Sequence, residues 1–159
     1  MKITILAVGK IKEKYFKEAI FEYSKRLSRY CKLEVIDVSD EKSPYNASSA
    51  TEDIIREKEG ERLIKHVKDD AYVITLEVKG KEITSVDLAN KIEKIGISGV
   101  SHIQFVIGGS IGLGKNVLSK SDYSMSFSKM TFPHQLIRVL LLEQIYRGYR
   151  IINCEPYHK

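Results

Sequence analysis

Apolar runs of strand length alternate with segments of helical periodicity along the entire chain, and this alternation restricts the fold more than any other feature. KITILAV, residues 2–8, is an almost unbroken apolar run stopped by Gly9, the pattern of a strand covered on both faces. The segment 12–30 places Phe16, Ile20, Tyr23, Leu27 and Tyr30 three or four residues apart and predicts an amphipathic helix. KLEVIDVS (32–39) alternates as a strand, DEKSPYNASSA (40–50) is a loop, and residues 51–67 are helical, with Ser49 or Thr51 as the cap. AYVITLEV (71–78) is a third strand. SVDLANKIEKIG (85–96) is a helix stopped at Gly96 or Gly99, and HIQFVIGG (102–109) is a fourth strand. A brief helix near NVLSKS (116–121), a fifth strand DYSMSFS (122–128) and a long helix from Pro133 to about Tyr149 complete the series. The expected fold class is α/β: a mostly parallel sheet with helices on both faces, in which ligands bind beyond the carboxyl ends of the strands. The loops after VITLEV, QFVIGG and YSMSFS are therefore the places to look for a site.

With 159 residues the chain can bury one sizeable core, and a single domain over 1–159 is expected. No apolar run approaches the roughly 18–20 residues of a membrane span, and the two cysteines, Cys31 and Cys154, lack metal-ligand spacing. No membrane, no metal and a reducing cytoplasm are the expectation. A net charge of +5 is compatible with a polyanionic partner such as RNA.

The loop after the fourth strand needs separate treatment, because from Gly109 it reads GSIGLGKN and satisfies G-x-x-x-x-G-K. A phosphate cradle needs a hydroxyl after the lysine to hold magnesium and a substantial helix to present its N-terminus. Here Asn116 replaces the hydroxyl, and only a short segment separates Lys115 from the next strand. The glycines also miss the dinucleotide pattern G-x-G-x-x-G. A P-loop-like nucleotide-binding protein is thus one alternative, and a non-catalytic RNA-binding module is another.

The last helix carries Leu136, Ile137, Val139, Leu140, Leu141, Leu142 and Ile145 and is apolar nearly all round, more than one sheet face can bury. A second copy of the chain is the simplest partner for the excess. The ordered set TLEVKGK, FVIGGSIGLG, FSKMTFPHQLIRVLLLEQIYR and the terminal PYHK resembles the RlmH family of small SPOUT-class methyltransferases, over essentially the whole chain. That resemblance implies a SPOUT α/β trefoil-knot methyltransferase fold, with knot and cofactor site in the C-terminal part from about residue 71. It implies a homodimer that uses S-adenosylmethionine to methylate N3 of a pseudouridine in 23S rRNA of the large subunit or the assembled ribosome. Carried over position by position, it places cofactor contacts at Leu76, Gly108, Phe127, Ser128, Lys129, Met130, Thr131 and Phe132.

Methyl transfer to an imide nitrogen requires alignment of donor and acceptor and loss of the N3 proton. Arg138, Tyr157 and His158 are the candidates for that chemistry. His158 would assist proton removal and Tyr157 would pack on the base, either in their own subunit or, since a short tail beyond a dimer-forming helix can reach across an interface, in the partner's site. YRGYRIINCEPYHK interleaves Tyr146, Arg147, Tyr149, Arg150 and Tyr157, a mixture suited to phosphates and unstacked bases, although Tyr146 reads equally well as helix packing. Lys159 stands where the family resemblance leads one to expect arginine, so a bidentate phosphate contact there loses its support.

Overall fold

The computed structural model describes all residues, Met1–Lys159. Five strands and five helices follow in the order β1 (Lys2–Val8), α1 (Lys14–Leu27), β2 (Lys32–Val38), α2 (Ser49–Ile64), β3 (Tyr72–Glu82), α3 (Ser85–Ile97), β4 (His102–Ile107), α4 (Lys115–Leu118), β5 (Tyr123–Ser126) and α5 (His134–Ile152). The strands form one sheet in the order β2-β1-β4-β3-β5, and every pairing is parallel.

Side chains alternate across the two central strands, and this divides the core. Ile3, Ile5 and Ala7 of β1 with Ile103, Phe105 and Ile107 of β4 face α1, α3 and α5, where Leu27, Leu88, Ile92, Leu141, Leu142 and Ile145 meet them. Leu6, Val8 and Val106 face the other way, against Leu63 of α2 and Val117 of α4. Phe105 and Ile5 are fully buried, and burial of each such side chain contributes roughly 1.5–3 kcal/mol. β2 is a sheet edge and stays mostly exposed, which explains why its sequence alternates while β1 and β4 do not.

Several boundaries differ from the sequence expectation, each for a local reason. The α2 cap is Ser48, whose side chain accepts from the Thr51 amide, so Ser49 and Thr51 lie inside the first turn. α3 opens with a reciprocal capping box between Thr84 and Asp87 and ends at Ile97, with Gly99 just beyond at φ +91°. Pro133 precedes α5 as its N-cap, and the helix continues to Ile152. β3 runs on to Glu82 and contains an irregularity: Met125 of β5 pairs with Leu76 and again with Lys81, leaving Glu77–Gly80 bulged out between. The backbones there are so close that a Cβ on Gly80 would sit 2.6 Å from the carbonyl carbon of Met125.

Candidate active site

Parallel order β4-β3-β5 puts three loops side by side at one edge of the sheet. Leu76 is in register with Ile107 on one side and Met125 on the other, so Gly108 and Phe127 emerge next to it. A cavity of about 200 Å³ opens on the β5 side of this arrangement, lined by Ile83, Thr84, Ser85, Leu88, Met125, Ser126, Phe127 and Gln144, with Leu76 and Gly108 outside its lining. Gln144 accepts from the Ser85 hydroxyl at 2.6 Å and so ties α5 to the start of α3 at the cavity wall. It escaped the sequence reading, since beside Glu143 and one turn before Arg147 it looked like part of the helix's polar face.

The segment Phe127–Phe132 is notable for what its backbone leaves free. None of its N–H or C=O groups bonds to another backbone group; the Met130 amide donates to Ser128 Oγ, and the Ser128 carbonyl accepts from Ser126 Oγ. Met130 itself is 72% exposed. A loop of this kind offers a row of donors and acceptors to a flat polar ligand.

The glycine loop, by contrast, is already occupied by protein. A Cβ on Gly114 would lie 2.9 Å from the Arg56 carbonyl oxygen, and one on Gly60 of α2 would collide with Asn116. Arg56 Nε donates to the Ile111 carbonyl, and Asn116 donates to the Glu57 carbonyl at 3.0 Å. Helix α2 thus fills the space where phosphates would lie, and α4, after Lys115, is one turn long. Its glycines permit close helix packing, which removes the nucleotide-cradle alternative.

Arg138 is 1% exposed, and both terminal nitrogens of its guanidinium are committed, while Nε is buried without a partner. Nη1 donates to Asp37 Oδ1 at 2.7 Å, while Nη2 donates to the carbonyls of Val8 and Gly9. Burial lowers its pKa, against the opposing pull of Asp37. The group faces the ends of β1 and β2 and is spent on holding them to α5, so it does not stand open as a partner for a reacting base. His134 lies against Gly9, which takes φ +86°; burial and then Arg138 lower its pKa.

The tail folds back on its own chain. Tyr157 stacks edge-on to Tyr146, with centroids 5.0 Å apart, sits under Arg147, and donates to Glu143 Oε1 at 3.2 Å. Burial, with Glu143 adding to it, pushes the Tyr157 phenol up to about 12, so it remains protonated at neutral pH. His158 Nδ1 is 3.4 Å from Arg147. Tyr146 also meets Tyr23 of α1 and Tyr30 just beyond that helix, so the tail lies on the α1 side of α5. The structure therefore brings the loops after β3, β4 and β5 together, while Arg138 faces the ends of β1 and β2 and the tail lies against Glu143, Tyr146 and Arg147 of α5.

A family model described as "Predicted SPOUT methyltransferase" matches residues 1–158. The chain belongs to the SPOUT methyltransferase family. A protein of Clostridium tetani named ribosomal RNA large subunit methyltransferase H is 62% identical over 159 residues, all of both chains. One of the same name from Bifidobacterium adolescentis is 60% identical over the same full length. A solved structure described as "a probable methylase family protein" from Haemophilus influenzae Rd KW20 superimposes with a TM-score of 0.55 at 14% identity, covering 99% of this chain and 70% of that one, and it shares the fold. A SPOUT methyltransferase needs a methyl donor, and the open backbone of 127–132 beside the cavity fits one. No cluster of side chains in this methyltransferase could hold a metal ion, and no helix is long and apolar enough to cross a membrane.

Proposed function

We propose that this methyltransferase works as a homodimer and transfers the methyl group of S-adenosylmethionine to N3 of a pseudouridine in 23S rRNA. The observation that carries this reading is the free backbone of Phe127–Phe132, at the same strand ends as Leu76 and Gly108, in a chain 62% identical to a protein named ribosomal RNA large subunit methyltransferase H. Backbone amides and carbonyls of Ser128, Lys129, Met130, Thr131 and Phe132 hold the adenine edge, and Leu76 and Phe127 supply apolar contact. The donor, when bound, supplies an electrophilic methyl carbon. With the donor bound, its S–CH3 bond would break as the N3–C bond formed in line, the N3 proton would pass to a base, and S-adenosylhomocysteine would leave.

Leu136, Val139 and Leu140 lie at helical spacing on α5 and are not part of either core cluster, which supports a second copy packing there. In this dimer Tyr157 and His158 serve the donor site of the partner, His158 as proton acceptor and Tyr157 against the base; within its own chain Tyr157 donates to Glu143, which also accepts from Gln144 of the cavity wall. Arg138 acts as a positioning residue. The chain is expected to work where its ribosomal substrate is, in the cytoplasm.

Calorimetric titration with S-adenosylmethionine, with magnesium-ATP as control, is the first test, followed by methylation of unmodified ribosomes and of bare 23S rRNA. Binding of the donor alone and methyl incorporation at one pseudouridine are expected. Absence of donor binding, or binding of ATP instead, would overturn the reading.

A further inference from the structure

Resting on that reading, we infer that the loop after β1 and the first turn of α1, through Lys10, Lys12 and Tyr15, form an RNA-contacting edge held in register with the donor loop by Gln135. The charge there is lopsided: residues Lys10–Lys17 contain four lysines against one glutamate. Lys10 and Lys12 are exposed and form no ion pair, and Lys14 reaches Glu18 only at 3.7 Å. Tyr15 is 63% exposed, and its ring touches that of Phe16, with centroids 4.5 Å apart and planes tilted by 54°, which leaves most of the ring accessible to a base. Lysines around an exposed aromatic ring suit a single-stranded polyanion whose bases can stack.

Position makes the patch more than a solvated helix end. It follows β1, so it lies at the same carboxyl end of the parallel sheet as the loop after β5, with β4 and β3 between the two strands. Gln135 is three residues beyond Phe132, and its Oε1 accepts from the Lys12 amide at 2.9 Å and from the Glu13 amide at 3.5 Å. One turn on, Arg138 grips the carbonyl of Gly9. The basic loop is therefore fastened at two points to the helix turn that ends the donor loop, and bound RNA would be presented at a fixed height relative to the donor.

The test compares wild type with Lys10→Ala/Lys12→Ala, Tyr15→Ala, Tyr15→Phe, Gln135→Leu and Gln135→Glu, by filter binding to 23S rRNA across a salt series and by methylation kinetics. The double lysine variant should weaken RNA binding at least tenfold and flatten the slope of log K against log salt by about 1–2. Its loss should fall on KM, with donor affinity unchanged. Tyr15→Ala should weaken binding about tenfold, and Tyr15→Phe should restore it. Gln135→Leu should raise KM several-fold, with rescue by Gln135→Glu, whose carboxylate accepts the same amides. Unchanged KM and salt slope in the double variant would overturn the inference, as would a switch from dimer to monomer in Tyr15→Ala, because the edge would then be a subunit contact. A wild type that neither binds donor nor methylates would fail the functional reading instead, while filter binding still reports on the patch.

Discussion

Arg138 of α5 and Asp37 at the end of β2 are 101 residues apart in the chain and 2.7 Å apart in the fold. The chain reaches α5 only by way of the donor loop, so this pair, with the two carbonyls that Arg138 also holds, anchors the far end of that loop to the sheet. Arg138→Met should destabilise the protein by about 3 kcal/mol, the low end for breaking a buried pair, because Asp37 keeps some contact with water. Arg138→Lys should not rescue, since one ammonium cannot span a carboxylate and two carbonyls. Urea unfolding midpoints give the answer, and a wild-type midpoint in Arg138→Met would refute the clamp.

Glu59 has one carboxylate oxygen on the Glu41 amide, while the other is buried with no partner beside Gly109. Burial raises its pKa, the Glu41 amide opposes this, and Asp40 adds to the rise. The native state thus favours the protonated acid. Its contribution to stability is complete below the ordinary glutamate range and is lost as pH rises through the raised folded value. Glu59→Gln should raise the melting temperature at pH 7 and leave it nearly unchanged at pH 4; the same shift at both values would show that the charge is not the cause.

At Gly80 an added methyl group meets backbone, which cannot move aside as a side chain can. Gly80→Ala should lower stability by about 3 kcal/mol or more and weaken donor binding, since Met125 leads directly into Ser126 and Phe127 at the cavity. Calorimetry of the variant beside Gly99→Ala, where nothing stands within 4 Å and only the positive φ is strained, separates crowding from conformation.

Removing residues 156–159 should leave donor affinity within about twofold and abolish methylation, while Tyr157→Phe, which keeps the ring on Tyr146, should retain most activity. If the tail serves the partner's site, mixing tail-deleted chains with Phe127→Asp chains should restore part of the activity. No recovery in verified mixed dimers would place the tail in its own subunit's site.

Lys115→Ala should change neither stability by more than about 0.5 kcal/mol nor donor affinity, since the side chain is exposed and unpaired.

Strand and helix order was legible because β1 and β4, covered on both faces, are apolar at most positions, with only Thr4, His102 and Gln104 as buried polar exceptions, and α1 must carry its stripe at helical spacing. What sequence could not show depends on contacts distant in the chain. Arg138 looked available for chemistry because Asp37, Val8 and Gly9, which occupy it, are far away in sequence. The strand reading stopped at Val78, short of Gly80, because nothing nearby in sequence announces Met125 above it. The GxxxxGK pattern recorded a close approach but not what approaches, and α2 proved to be the neighbour. The donor contacts came from resemblance alone; the bare backbone of 127–132 gives them a physical basis.

The pairing of β1 with β4 joins Lys2 to His102. The first strand made during synthesis therefore waits for its central partner until about two-thirds of the chain has been translated. Until then KITILAV has only the edge strand β2 for company, and its other edge is unsatisfied. High contact order of this kind makes for slow assembly and a nascent chain prone to self-association.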